Sequence, residues 1–313
     1  MPIGGLLSLA RRWRQICGSL GALTGMLVGT RANQALAQRG SAVAPGVTEI
    51  RPGAYVIADS SGNLLVRVGA GESFVTGGQY PSLVLKARQL IARIAAPPVQ
   101  FVVATAADHV ARFADGGWGS GGATVLAQET LRSQMSASPK EAGPDSGGRG
   151  RVPAIGFSEV VQVGLSGDEA HAVHQAGGAS GADVIVHLER EHIVFLGALL
   201  MTDGYPGIDV RAGGSLDSTI KVIGFFVTNF GPDDRMIYIP GRGPTVGNDG
   251  LREYKQMLVT VRDWAKAQLD QKKTLREMIA AGLPATLSAK WEHGPVRAAQ
   301  FITAVRESLT ASK

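Results

Sequence analysis

The chain has 313 residues, 44% hydrophobic and 18% charged, so it can bury a sizeable core in one large domain or two small ones and is not a disordered tail. Its 42 glycines follow no three-residue period, which excludes a collagen helix, and 6% aromatics leave few stacking platforms for single-stranded nucleic acid. The net charge of +5 belongs to the N-terminus: Arg11, Arg12, Arg14 and Arg31 lie in the first 37 residues, which hold no Asp or Glu. Without those four, the 31 basic side chains fall to near parity with the 26 acidic ones. A body so balanced carries no electrostatic footprint for nucleic acid or an anionic membrane.

Residues 1–37 have the layout of a secretory signal. The basic run Arg11-Arg12-Trp13-Arg14 precedes an uncharged stretch at 16–30, and Ala35-Leu36-Ala37 offers a small-x-small cleavage site. The paired arginines lean toward the twin-arginine route, with Sec export still open. As a membrane anchor, the stretch falls short of the ~20 apolar residues a spanning helix needs. Cleavage near Ala37 would give a periplasmic or secreted chain with no membrane span. It would also remove Cys17, the single cysteine, and with it any disulfide, thiol nucleophile or Cys-liganded zinc.

Residues 38–50 read as a linker and 51–313 as one domain. Short β-rich runs at 54–58 and 64–68 flank the turn Ser60-Ser-Gly-Asn63, and 73–76 extends the sheet. Leu83, Leu85, Leu90, Ile91 and Ile94 give 82–94 a helical pattern that Pro97-Pro98 stops. Apolar runs at 99–104 and 123–127 predict buried strands. Residues 136–151, rich in Pro, Gly and Ser, read as a flexible loop. Further strands are expected at 160–165, 169–174, 183–188, 192–195 and 236–239, then helices at 249–271, 274–281 and 295–309. In the first of these helices Leu251, Tyr254, Leu258, Val261 and Ala265 form a stripe that predicts a core-facing side. Two β-rich halves with helices outside predict an α/β fold, a four-layer αββα sandwich.

The order of segments between about Pro52 and Trp291 resembles the metallo-β-lactamase fold superfamily, in its periplasmic hydrolase and cyclase-like branch. The resemblance runs through Gly53-Ala-Tyr-Val-Ile57, Gly62-Asn63, Thr76-Gly77 and Phe101-Val-Val-Ala-Thr105. It continues through Gly122-Ala-Thr124, Asp183-Val-Ile-Val186, Val194-Phe-Leu-Gly197, Gly204-Tyr-Pro206, Ile239-Pro-Gly-Arg-Gly-Pro244 and Leu251-Arg-Glu-Tyr254.

In that family a His-x-His-x-Asp-His run, a later His, a bridging Asp and a final His hold one or two metal ions, commonly zinc, that activate water. By the resemblance, the run falls here on Ala106, Asp108, Val110 and Ala111. The later His falls on Ala179, the bridging Asp on Ala198, the final His on Arg242, and a supporting strand-end aspartate on Thr76. Methyl groups donate no lone pair, so the expectation is a fold without its metal site, a pseudoenzyme with no cofactor. It would bind a small molecule in the vacated pocket or pair with an active relative. The alternative is a metal-dependent hydrolase with a displaced or single metal around Asp108 and His109, with Asp183 as a further donor.

Asp108 and Arg242 are expected either to form an ion pair in place of the metal or to stand as solvated charges at a cleft rim. His109 reads as a loop histidine rather than a general base or relocated ligand. His187 and His192, flanking Glu189-Arg-Glu191, are expected to face solvent. His171 and His174, three apart on a strand, point to opposite faces and cannot chelate together. Gly164-Leu-Ser166-Gly167 is one residue short of a nucleophile elbow. Gly116-Gly-Trp-Gly-Ser-Gly-Gly122 lacks the Gly-Lys-Ser/Thr ending of a phosphate loop, and Trp118 within it is expected to pack rather than cover a ligand.

Overall fold

A computed structural model describes residues 41–44, 46–77, 80–105, 118–137 and 153–311. The signal-like segment lies outside them, as does most of the loop at 136–151. The described residues form two sheets and seven α-helices, and the first surprise is at the start. Residues assigned above to a linker are strands β1 (Ser41–Ala44) and β2 (Val47–Arg51). They join β3 (Ala54–Asp59), β4 (Gly62–Val68) and β5 (Ser73–Gly77) in an antiparallel meander, with Gly53 at φ +77° making the β2–β3 turn.

Parallel pairing begins after β5. Helix α1 (Pro81–Arg93) carries the chain to β6 (Val99–Val103), followed by β7 (Thr124–Gln128), helix α2 (Glu129–Ala137) and β8 (Ile155–Phe157), completing an eight-stranded sheet in sequence order. Pro81 opens α1, and Ala95 at φ +48° ends it before the two prolines. Leu83, Ala87 and Leu90 face the sheet, whereas Leu85, also part of the helical pattern above, is 58% exposed. The turn 118–121 is a short 3-10 helix, in which Trp118 is buried under the Arg88 guanidinium, 5.2 Å above its ring. Trp118 therefore packs against α1.

The second sheet is a meander of β9 (Val160–Leu165), β10 (Asp168–Gln175), β11 (Asp183–Leu188) and β12 (Ile193–Met201), with β13 (Ile237–Arg242) parallel to β12 at its edge. Helix α3 (Leu216–Asn229) makes that crossover. Its sequence, rich in β-branched and aromatic residues, hides a helix that Ser215 caps by accepting from the Ser218 amide. Helices α4 (Asn248–Asp270), α5 (Leu275–Ala281), α6 (Ala285–Trp291) and α7 (Ala298–Ala311) follow, and the α4 stripe from Leu251 to Ala265 is fully buried.

Strand alternation divides the core into three layers. Leu64 and Val66 of β4 face α1, while Leu65 faces the other sheet beside Phe74, Val103 and Leu126. Across the interface stand Ala170 and Ala172 of β10, Val184 and Val186 of β11, and Phe195 of β12. Val173 and Ile185 point the other way, against α3, α4 and α7. The result is helices, sheet, sheet, helices: the αββα sandwich expected from the sequence.

Candidate functional site

Of the positions at which the resemblance places metal ligands, the described ones are Ala179 in the β10–β11 loop, Ala198 on β12 and Arg242 at the end of β13, with Thr76 on β5 as the supporting position. Here the two sheets are tied by one side chain. Asn63 is buried and donates both amide hydrogens across the interface, to the Pro240 carbonyl at 3.0 Å and the Gly243 carbonyl at 2.8 Å. Backbones press together around it. A Cβ on Gly62 would stand 2.7 Å from the Gly241 carbonyl oxygen, and one on Gly241 would stand 2.9 Å from the Gly197 carbonyl. Glycine is required at positions 62 and 241 because the strands touch main chain to main chain there.

From the first sheet, Thr76 donates to the Val103 carbonyl at 3.1 Å, joining β5 to β6. Thr105 follows β6; its carbonyl accepts from Val184 at 3.0 Å and so couples the two sheets. The Thr105 hydroxyl is buried beside Gly197 without a hydrogen-bond partner among the described residues. Residues 106–117 lie outside those residues, and with them Ala106, Asp108, His109, Val110 and Ala111.

Two loops build the cavity. The β10–β11 loop is shaped by Asp183, whose buried carboxylate accepts from the Ser180 amide at 2.7 Å and hydroxyl at 3.0 Å. His174 adds a contact of 2.8 Å from its Nε2 to the Gly181 carbonyl. The loop after β12 is bonded to it through main chain: Asp209 donates to Ala179 at 2.8 Å, Gly181 to Ala212 at 2.7 Å, and Ser215 to Gly178 at 2.9 Å. Between them opens a cavity of about 500 Å³. Ala179 and Ala198 both line it, with Met201, Ile208 and Val210 continuing the apolar wall. Arg211 and Glu307 stand at its exposed rim.

Arg242 is turned elsewhere. Its Nε meets Asp203 at 2.8 Å, and its guanidinium packs against the turn at Gly294. The pairing expected with Asp108 lies outside the described residues; among those described, Asp203 is the partner. A metal centre does not fit the donor set that can be placed. Two positions carry methyl groups, the third carries a cation already engaged, and Asp183 spends its oxygens on Ser180. No cluster of three His, Cys, Asp or Glu side chains suited to a metal occurs among the described residues.

The histidines correct one expectation. His187 does not face solvent: it is 2% exposed, with its ring edge-on to Phe230 and to His171, its partner across the β10–β11 ladder. Helices cover that face of the sheet too, so a polar residue on the alternating pattern is not an outward one. Burial, reinforced by the neighbouring His171 and His192, pushes the His187 pKa down to about 3. His171 meets Glu169 at 3.0 Å, and His192 meets Asp233 at 2.8 Å. Ser166 is held by Glu72 through both its amide and its hydroxyl, at 2.7 Å each, which fixes it as a residue of the β9–β10 turn.

No family model matches the chain, and no curated protein does. Solved structures do. The stereoselective inverting sec-alkylsulfatase Pisa1 from Pseudomonas sp. superposes with a TM-score of 0.63 at 16% identity, over 84% of this chain and 50% of its own. The chain thus spans about half the length of that enzyme. A metallo-β-lactamase from Pontibacter korlensis superposes with a TM-score of 0.53 at 17% identity, over 68% of this chain and 97% of its own. The DIM-1 metallo-β-lactamase gives 0.54 at 15% identity, over 68% and 96%. At such identities the likeness is one of architecture, and it agrees with the sheet order and layers: this chain has the metallo-β-lactamase fold.

Proposed function

We propose that the chain is a non-catalytic protein of this fold that binds a small molecule where the fold would otherwise carry its metal centre. The observation that carries the reading is that Ala179 and Ala198, standing where a His and a bridging Asp would be expected, share one preformed cavity. A volume of about 500 Å³ lies within the range of small-molecule sites and is too small to admit a folded partner, which favours a ligand over an active relative at this place. The leader-like residues 1–37 support a periplasmic or secreted location.

Elemental mass spectrometry on the chain, purified without a histidine tag and offered zinc, manganese and iron, tests the reading. The expected result is less than about a tenth of an equivalent of any metal, with no metal-induced rise in melting temperature. Near one equivalent, lost on Asp108→Ala, would overturn it in favour of a hydrolase with a displaced metal at Asp108 and His109.

A further inference from the structure

The chemistry of the cavity wall narrows what can enter it. Ala179 and Ile208 are buried, Ala198, Met201 and Val210 half-buried, and all five present hydrocarbon to the cavity. Among the described residues of the wall the buried charge is Asp183, which already accepts from the Ser180 amide and hydroxyl. The remaining ionisable groups, Asp209, Arg211 and Glu307, are exposed and sit at the mouth. A polar group carried to the wall formed by Ala179, Ala198, Met201 and Ile208 would lose its water against hydrocarbon, and the polar side chains beside that wall, Ser180 and Asp183, are already bonded to one another. Hydrocarbon placed there loses only its contact with water, which is favourable. The walls are also set in advance by the three main-chain bonds between the loops, so little ordering is required on entry.

We infer that the ligand is a small amphiphile: an alkyl or aryl portion fills the space between Ala179, Ala198 and Ile208, and a polar end remains at the rim beside Arg211 and Glu307. This rests on the ligand-binding reading above and specifies its chemistry.

The test uses the full chain with alanine methyl groups carbon-13 labelled, titrated with 1-butanol through 1-octanol and, in parallel, with α,ω-diols of the same lengths. The expected result is movement of the Ala179 and Ala198 methyl resonances by the alkanols. Binding should tighten about fourfold per added methylene, the equivalent of ~0.8 kcal/mol, until the cavity is full. The diols should bind more weakly at each length. Ala198→Phe, which projects a ring into the space, should abolish the response, and the Ala179 methyl of the unsubstituted chain gives the same answer if that variant fails to fold. Diols binding as tightly as alkanols, or affinity independent of chain length, would overturn the amphiphile while leaving a ligand site in place. If neither series moves either methyl, the amphiphile and the ligand-binding reading fall together.

Discussion

His171 and His187 face one another across the β10–β11 ladder, each at most 2% exposed, with ring centroids 6.3 Å apart. Acid must therefore act on the second sheet. His187 has a folded-state pKa near 3 against an ordinary 6.5, so the unfolded chain takes up the proton first. The stability this group contributes is complete above about pH 6.5 and is lost as pH falls from there toward 3, at up to about 1.4 kcal/mol per pH unit. Urea unfolding at pH 7 and 4.5 should show the loss. In His187→Leu, the pH dependence over that interval should flatten, since most carboxylates titrate below it.

The Asn63 clamp yields a sharper comparison. Asn63→Ala leaves the Pro240 and Gly243 carbonyls without a donor in a buried place and should cost about 2–4 kcal/mol in chemical denaturation. Asn63→Asp, of equal size, sets a carboxylate oxygen against one of those carbonyls and should cost more at pH 7 than at pH 4, where its proton restores one donor.

Arg242 and Asp203 should be coupled. A double-mutant cycle on Arg242→Ala and Asp203→Ala is expected to give about 0.5–1 kcal/mol, the range of partly exposed pairs. The corresponding cycle with Asp108→Ala should be additive, because the guanidinium Nε is already committed to Asp203. Coupling to Asp108 larger than to Asp203 would reverse this assignment.

Gly241→Ala should unfold the site outright. Its Cβ would stand 2.9 Å from the Gly197 backbone and 3.2 Å from the Ala198 amide, and backbone cannot yield as a flexible side chain can. A loss of at least about 2 kcal/mol is expected. Gly71→Ala, where a Cβ meets nothing within 4 Å, should be near neutral.

Much of this architecture is legible in the residues. The β-rich runs at 54–58 and 64–68, the α4 stripe, and the stop at Pro97-Pro98 place strands and helices close to where they occur. Helix α3 is not legible, because Ile220, Val222, Ile223, Phe225, Phe226 and Val227 have the propensities of a strand and only their helical spacing against the core, with the Ser215 cap, decides otherwise. His187 was hidden for a related reason: beside Glu189 and Glu191 it looks solvated, but the helix layer covers that face. At the site, the alanines at 179 and 198, where the resemblance places a His and an Asp, can be read directly from the sequence. The partnership of Arg242 with Asp203 joins residues 39 apart and follows only from the path of β13 beside β12.

The three main-chain bonds between the loops at 178–181 and 209–215 have a consequence for substitution. A pocket whose two loops are joined by amides and carbonyls, with Asp183 and His174 bracing one of them, depends little on its apolar side chains for shape. Substitutions at 179, 198 or 208 can therefore change the chemistry of the wall while its outline persists.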